Sequence, residues 1–547
     1  MNFIYGFLED STFLTILYWV KASPYFTTSE PLLFYPYFFI TNYLNSIFFF
    51  NFYLLFTFIL NLIFTFKFFK LFSNSNLHVS LVSIIFNLSP FFYYKFQNHL
   101  NLISVWLLVY FLYRLVLSIK NNDLSYKSFL INGFVLSTLM VYSNYLGYIG
   151  MLTSVLYFVF ILFSFKLNFT DFFKKGLSFG FSFFSLILIF NYNYIFFNFI
   201  STSEIASTTP SQNFGLKRNI EDFFIFSSRP WYFFLPSIDN PFFGFITKDF
   251  LEKFSGTNFL FNNYFKSEHS SSFLGILNVF LLLFSIAIFF NKNKTVIFNN
   301  IKIYFFSLTI FIYFVLLALP PYLDIIGFRL YLPGYLLYSF FPMFRVTSRF
   351  GITSLLFALV FVLKGYELLE DKFKNKKIIK PFIFTLFFVS LLEFYIPIKV
   401  SYFNETPEAY VYAKDSLKDA KNFMVYPPSK SSHALFWTKE FNKPLINMYG
   451  NYYKVDGKTL DNSIFSKLIF ECNYIDLFYN VDYFFVHINL LSEEEKNFFN
   501  NTFTKVFESS NNLNFELEYN NFLLFNIGNS KENIINIYKL NNLKNCE

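Results

Sequence analysis

The chain has 547 residues, of which 55% are apolar, 25% aromatic and only 14% charged, with a formal net charge of +8. Ordinary globular proteins carry about 25% charged residues; the deficit, and the segregation of the charges that remain, exclude an ordinary soluble chain and imply a polytopic membrane protein. The basic excess falls mostly in short connectors between apolar runs, where membrane orientation accounts for it better than nucleic acid does.

Residues 1–42 open the chain with "MNFIYGFL", too short to cross a bilayer, followed by Glu9-Asp10 and an amphipathic stretch containing Trp19. That stretch suits the membrane interface, where aromatic rings sit at headgroup depth. A carboxylate held there has the chemistry of a general base toward an acceptor hydroxyl. An acidic pair at a solvated helix start has the same signature. A helix ahead of this segment is expected to be missing, through truncation or a misplaced start.

Ten stretches are then long and apolar enough to span: about 43–66, 79–95, 99–118, 128–145, 147–165, 176–197, 272–290, 301–320, 347–366 and 380–398. Ser89-Pro90 predicts a kink in the second. Lys67 and Lys70, then Arg114, Lys120 and Lys127, then Lys166, Lys174 and Lys175, then Lys292, Lys294 and Lys302, and finally "LKGYELLEDKFKNKKIIK" occupy every second connector. Those connectors are expected to face the cytoplasm. The others are nearly free of basic residues, with Lys95 as an exception. The loops 198–271 and 321–346 and the tail 399–547 are then external.

The tail reads as a soluble α/β domain. "NFMVYPP" and "VDYFFVHI" have the character of buried strands, and "SEEEKNFFNNTFTKVFES" that of a helix with acidic residues in its first turn. "FELEYNNFLLFNI" reads as a hairpin turning at Asn-Asn. Its balanced charge shows no nucleic-acid footprint. Cys472 and Cys546 are the only cysteines, so no thiolate metal site or CxxC pair exists; whether they form one disulfide stays open. His433 and His487 show no metal-ligand spacing.

The stretch "FPMFRVTSRFGITSLL" places Arg345 and Arg349 at the external mouth of the ninth span, where the orientation rule does not put basic residues. Two readings are open. The arginines cap the helix and snorkel to the interface, or they lie at i and i+4 on one helical face and clamp a phosphate beside the helix N-terminus. A phosphate at the outer membrane surface most naturally belongs to a lipid carrier. His99 and Asn101 at the outer start of the third span, Asp239 in Asp-Asn-Pro, and Asp324 after Pro320-Pro321 are further candidates for substrate contact. Each has a plainer role as an interfacial or turn residue. Glu393, near the outer end of the last span, is a functional candidate as an intramembrane acid.

Several stretches, in order, resemble the GT-C membrane glycosyltransferases, in particular the large bacterial and archaeal members with an extracytoplasmic C-terminal domain. They are "EDSTFLTILYWVKASPYFTTSEPLLFYP", "NHLNLISVWLL", "FFLPSIDNPFFG", "FPMFRVTSRFGITSLL", "NKPLINMYGNYY" and "YNVDYFFVHINL". The resemblance implies a helical membrane fold of the cell membrane, with its active site on the outer face. The donor it implies is a sugar on a polyprenyl phosphate, and the acceptor an envelope polymer, lipid or protein, reached with inversion at the anomeric centre. Carried over by position, Asp10, with Glu9 beside it, matches the acidic first-loop site, and Arg345 and Arg349 match the paired-arginine element at the donor phosphate. A divalent cation at Asp10 stays open.

The chain departs from the pattern in four places. It lacks the membrane helix before the acidic loop; Thr347 stands for the proline of the arginine motif; Asn240 stands for the histidine of the Leu-Pro-Ser loop; and Glu9 stands where glycine is usual. A catalytically degenerate relative serving as an assembly partner, and a lipid-linked-saccharide transporter, are the alternatives. The latter is disfavoured by the gathering of candidate groups at one face rather than near mid-bilayer.

Overall fold

The computed structural model describes residues 46–98, 100–165, 167–195, 220–253, 267–290, 300–325, 328–342, 344–373 and 376–397 of the membrane portion, and 400–403, 407–420, 423–427, 452–455, 458–461, 482–509, 515–519, 530–532 and 535–540 beyond it. The chain divides into two compact units, Leu17–Pro397 and a second made of Met1–Ile16 with Ile398–Glu547.

The first unit is helical. Its helices are α1 (Ser46–Phe69), α2 (Asn76–Asn87), α3 (Pro90–Asn98), α4 (Val105–Asn121), α5 (Tyr126–Tyr142), α6 (Asn144–Phe165), α7 (Phe169–Ile195), the short α8 (Ile220–Ile225), α9 (Ile276–Phe289) and α10 (Ile301–Ala318). A hairpin, β1 (Tyr322–Ile325) and β2 (Phe328–Tyr331), leads into α11 (Pro333–Phe340), α12 (Gly351–Lys372) and α13 (Lys376–Phe394). Among the described residues, eight segments are long and apolar enough to cross a membrane: Phe52–Lys70, Asn76–Lys95, Asn101–Asn121, Asn144–Phe165, Phe169–Phe190, Glu268–Phe289, Ile301–Ala318 and Thr347–Lys372. These correspond to eight of the ten expected spans. The stretches 128–145 and 380–398 are also helical, as α5 and α13, but α5 has only 17 residues and α13 contains Pro381 and four charged side chains, Lys376, Lys377, Lys380 and Glu393.

The amphipathicity of α1 is inverted relative to a soluble helix. Phe52, Leu55, Phe56, Ile59 and Ile63 are exposed along one face, whereas Thr57, Asn61 and Thr65, spaced by four, are buried on another. Asn61 explains the burial. Its amide donates to Ile103 O at 2.8 Å and accepts from Trp106 N–H at 2.6 Å. It therefore bridges a break at Ser104, where the third expected span divides into a four-residue turn, Leu100–Ile103, and α4. Thr65 accepts from Asn87 at 2.9 Å, tying α2 to α1. The second span is broken outright between Asn87 and Pro90, so the proline opens α3 rather than kinking one continuous helix. Polar side chains thus do lie inside the spans; those described here complete backbone hydrogen bonds where water is absent.

At the centre stands α12, buried along nearly its whole length and packed against α9, α10 and α2. Gly351 is required at its start: a Cβ would come within 2.5 Å of Ser271 O and of Ser272 Cα. Two helix ends meet alongside. Gly275, at φ +85°, turns the chain into α9 without a side-chain cap of its own. Both carboxylate oxygens of Glu393 lie 3.4 Å from Leu277 N–H instead, while the Asn240 amide donates to Leu392 O and Glu393 O at 2.8 and 2.9 Å. Glu393 is therefore an interhelical cap, which accounts for a buried acid in α13 without any reaction.

At the opposite end of the bundle Lys364 pairs with Glu367 at 2.5 Å, Ser73 donates to Glu367, and His78 Nε2 lies 3.5 Å from Glu370. Lys120 donates to Leu71 O at 2.5 Å. Basic residues predicted to orient the chain thus also fasten the α1–α2 connector.

In the second unit a four-stranded sheet runs in the order β4 (Phe423–Tyr426), β7 (Tyr483–His487), β11 (Ile535–Leu540), β8 (Phe503–Phe507), with β4 and β7 parallel and the other pairs antiparallel. The helix α14 (Glu408–Ser416) covers one face with Ala409, Tyr410 and Ala413. The helix α15 (Glu493–Thr502) begins in a capping box, Ser492 with Glu495. Smaller sheets are made by β3 (Val400–Phe403), β9 (Phe515–Tyr519) and β10 (Ser530–Glu532), and by β5 (Tyr452–Val455) with β6 (Lys458–Asp461). The parallel edge and the covering helix explain why "NFMVYPP" and "VDYFFVHI" read as buried strands. The second strand of the expected Asn-Asn hairpin, Cys472, Cys546 and His433 lie outside the described residues; His487 is buried in β7.

Replacing Asn61 by Leu strands the Ile103 carbonyl and the Trp106 N–H in an apolar interior, at about 1–3 kcal/mol. Unfolding in detergent followed by tryptophan fluorescence should show Asn61→Leu clearly destabilised and Ile59→Ala, on the exposed face, close to wild type. Equal effects would mean that Asn61 does not hold the break.

Candidate functional site

Irregular chain gathers at the bundle end where α9 and α12 begin. The 220–233, 267–274 and 341–350 segments meet there through buried hydroxyls and backbone. Ser348 N–H donates to Phe226 O at 3.1 Å, Ser272 Oγ donates to Ser348 O at 3.1 Å, Ser228 and Ser272 hydroxyls bond each other, and Ser228 N–H donates to Ala318 O at 2.8 Å. Ser228, Ser272 and Ser348 are all fully buried. Arg229 Nη1 donates to Phe224 O and to Ser227 O, and His269 Nε2 lies 2.8 Å from Ile225 O. Both side chains thus cap the C-terminus of α8, where the last carbonyls lack helical partners and cations are favoured.

On this frame stands an ion network. Glu268 accepts from Arg349 through both oxygens, Nη2 to Oε1 at 2.9 Å and Nε to Oε2 at 3.2 Å. The Lys95 ammonium bonds the same carboxylate. The Lys95 side chain is 1% exposed and that of Arg349 13%, so the triad is shut away from water. The guanidinium of Arg349 lies 4.9 Å from the Tyr145 ring centroid, and the Tyr145 hydroxyl donates to Val346 O. Among the described residues, one carboxylate meets two cations in this triad.

Arg345 is held differently. A single contact joins its Nη1 to Asp222 Oδ2 at 2.9 Å, its side chain is 33% exposed, and its charged end sits 4.9 Å from the Phe226 ring centroid. Three cations, Lys95, Arg345 and Arg349, thus meet two carboxylates, Glu268 and Asp222.

The expectation that the arginines lie on one face of a helix does not hold. Arg345 precedes the helix in irregular chain, Arg349 is in a 3₁₀ turn, Thr347–Phe350, and α12 begins only at Gly351. The two guanidiniums therefore face different carboxylates instead of forming one prearranged clamp.

The other sequence candidates do not join this network through any bond described. Tyr94 donates to Asp239, whose own N–H bonds Ser237 Oγ at 3.2 Å, so Asp239 organises a turn beside α3. Asn240 caps α13 and its own loop, donating to α13 and accepting from Phe242 and Phe243 N–H at 2.9 and 2.8 Å. Asp324 pairs with Arg329 across the hairpin at 2.9 Å. Asn101 lies in the turn Leu100–Ile103. Glu9, Asp10 and His99 lie outside the described residues. Among the described residues no three His, Cys, Asp or Glu converge as a metal-binding group.

Sequence reasoning missed Lys95, Asp222, Glu268, Arg229 and His269. Lys95 alone left a trace, as the basic residue on the wrong side of the alternation. No family model matches the chain, and no curated protein sequence matches it.

Removing the Glu268 carboxylate leaves Lys95 and Arg349 buried face to face, which costs about 3–5 kcal/mol for a broken buried pair. Asp222→Ala breaks a more open pair worth about 1 kcal/mol or less. Detergent thermal unfolding should therefore separate Glu268→Gln from Asp222→Ala by several degrees. A Lys95→Met/Glu268→Gln double variant should recover part of the loss; additive losses would deny the coupling.

Proposed function

We propose that the chain is a membrane glycosyltransferase of the GT-C kind, taking a sugar from a polyprenyl phosphate and passing it to a cell-envelope polymer, lipid or protein on the outer membrane face. The observation that carries the reading is the state of Arg345: a guanidinium one-third open to solvent, on a single carboxylate contact, beside a buried triad of Lys95, Arg349 and Glu268. An incoming phosphate competes with Asp222 for Arg345 and offers it two oxygens at once, the geometry guanidinium groups favour. Arg349, already locked by Glu268, supplies a fixed positive field behind that phosphate rather than a second free clamp.

In this reading the acceptor hydroxyl loses its proton to Asp10, attacks the anomeric carbon, and the bond to the carrier phosphate breaks with inversion. The departing phosphate carries new negative charge, which the arginines stabilise as it develops. A divalent cation would belong beside Asp10. The inverting geometry and the base come from the resemblance; the phosphate site rests on the arginines.

A second reading, a non-catalytic relative in an envelope assembly, is favoured by one observation. Both arginines already have carboxylate partners, as residues with purely structural roles do.

Purified protein in detergent, offered a panel of polyprenyl-phosphate sugars, should release free sugar to water. Arg345→Ala should lower release about 10²-fold or more, the scale set by removal of one group that stabilises transition-state charge. Asp10→Asn should abolish release while donor binding persists, and Asp324→Asn should match wild type. Absence of both release and donor binding across the panel favours the assembly partner.

A further inference from the structure

The connector between α10 and α12 is two-faced. The register Tyr322↔Tyr331, Leu323↔Leu330, Asp324↔Arg329 puts Tyr322, Asp324, Arg329 and Tyr331 on one side of the hairpin and Leu323, Phe328 and Leu330 on the other. The first side is satisfied internally. Asp324 and Arg329 pair, the Arg329 guanidinium lies 4.0 Å from the Tyr322 ring centroid, and the Tyr322 ring packs edge-on against Phe224 of α8 at 4.4 Å. The second side is apolar, with Phe328 80% and Leu330 52% exposed and Leu323 half-buried, and the polar side is part-exposed as well. The helix α11 continues the pattern: Leu337 is buried, while Leu336 and Phe340, spaced by four, are exposed, Phe340 by 73%.

The position of this surface identifies what covers it. The hairpin and α11 sit on the end of α10, with Leu332 N–H donating to Pro321 O at 2.9 Å and Gly334 so close that a Cβ would lie 3.2 Å from Leu319 O. The helix α10 itself exposes Phe305, Ile312 and Leu316 along one face. That face suits lipid, and the connector leads on from the end of the same helix. A two-stranded ribbon has unpaired N–H and C=O groups along both outer edges, which the hydrocarbon core does not tolerate and the headgroup layer does. Apolar side chains below with a charged pair and tyrosines above is the pattern of an element lying in the bilayer interface.

We propose that residues 322–340 form an interfacial membrane anchor, with Phe328, Leu330, Leu336 and Phe340 inserted at the headgroup–acyl boundary and the Asp324–Arg329 side turned away from the lipid. The partner is the lipid surface itself. Through Tyr322 on Phe224, and through Tyr338, whose ring lies 5.4 Å from that of Phe223, the anchor packs on the two residues that follow Asp222 in α8. It thereby fixes the depth at which Asp222 and Arg345 meet an incoming headgroup.

The test needs no sugar donor, so its outcome is independent of the glycosyl-transfer reading. In a Cys472→Ser/Cys546→Ser background, full-length protein carrying Phe328→Cys, Phe340→Cys or Arg329→Cys is labelled with a bimane dye and placed in phosphatidylcholine nanodiscs. Brominated phosphatidylcholine should quench the probe at 328 and 340 about twofold more than at 329, whereas aqueous iodide should show the reverse order. Iodide quenching at 328 and 340 as complete as at 329 would place the face in water and overturn the proposal. Probes at 328 and 340 reached by neither quencher would show protein, not lipid, covering the face, and would overturn it equally.

Discussion

The arrangement of the bundle end depends on one carboxylate. Glu268 sits in the turn leading into α9, and its described partners come from α3 and from the turn leading into α12. Each charge alone is costly in so dry a place, and each is tolerable only because the others are present. The bond from Arg349 is bidentate, so it fixes orientation as well as distance. Around it the chain has little freedom: Gly351 brings α12 against Ser271 and Ser272, and Tyr145 packs under the guanidinium while bonding Val346. Two cations are thereby held around one carboxylate in a place that cannot relax by moving a side chain into water.

The spans follow the same logic in milder form. Within lipid, apolar burial does not drive helices together, so packing contacts and hydrogen bonds do. The inverted stripe of α1, the Asn61 bridge across the break at Ser104, and the mutual capping of Gly275, Glu393 and Asn240 each join two segments by completing backbone valences. These polar groups lie inside the spans without marking a transport path. Asn61, Asn240 and Glu393 are held by backbone groups of the protein, whereas a path needs groups that exchange partners.

What the sequence made legible was what repeats. Eight spans were readable because about twenty apolar residues are needed to cross a bilayer and few other constraints produce such runs. The Pro90 disruption was readable because proline lacks the N–H a helix needs, although its severity, a full break rather than a kink, depended on Leu88 and Ser89 leaving the helix as well. The break at Ser104 was not readable, since nothing local marks it and its support, Asn61, is 43 residues earlier. The candidate site was half legible. Arg345 and Arg349 stood out as basic residues on a side where orientation does not place them, and Lys95 broke the same rule. Glu268 and Asp222 gave no such signal, because isolated acids in long polar loops are ordinary. Only the fold brings them to the arginines. The helical spacing of the arginine pair misled for a local reason: Pro342 and the 3₁₀ turn at Thr347 delay α12 to Gly351, so i and i+4 are not one face.

The difference between the two arginines is the most informative feature of that end. Two equally exposed guanidiniums would suggest simple snorkelling, and two equally buried ones a scaffold. Each guanidinium lies over an aromatic ring, but one is sealed by a shared, doubly bonded carboxylate and its neighbour is left on a single, half-open carboxylate contact. A buried charge keeps its field in every state of the molecule, whereas an exposed pair yields to a better ligand at little cost. On the proposed reading, a sealed cation beside an exchangeable one suits an anion that arrives, gains charge and leaves.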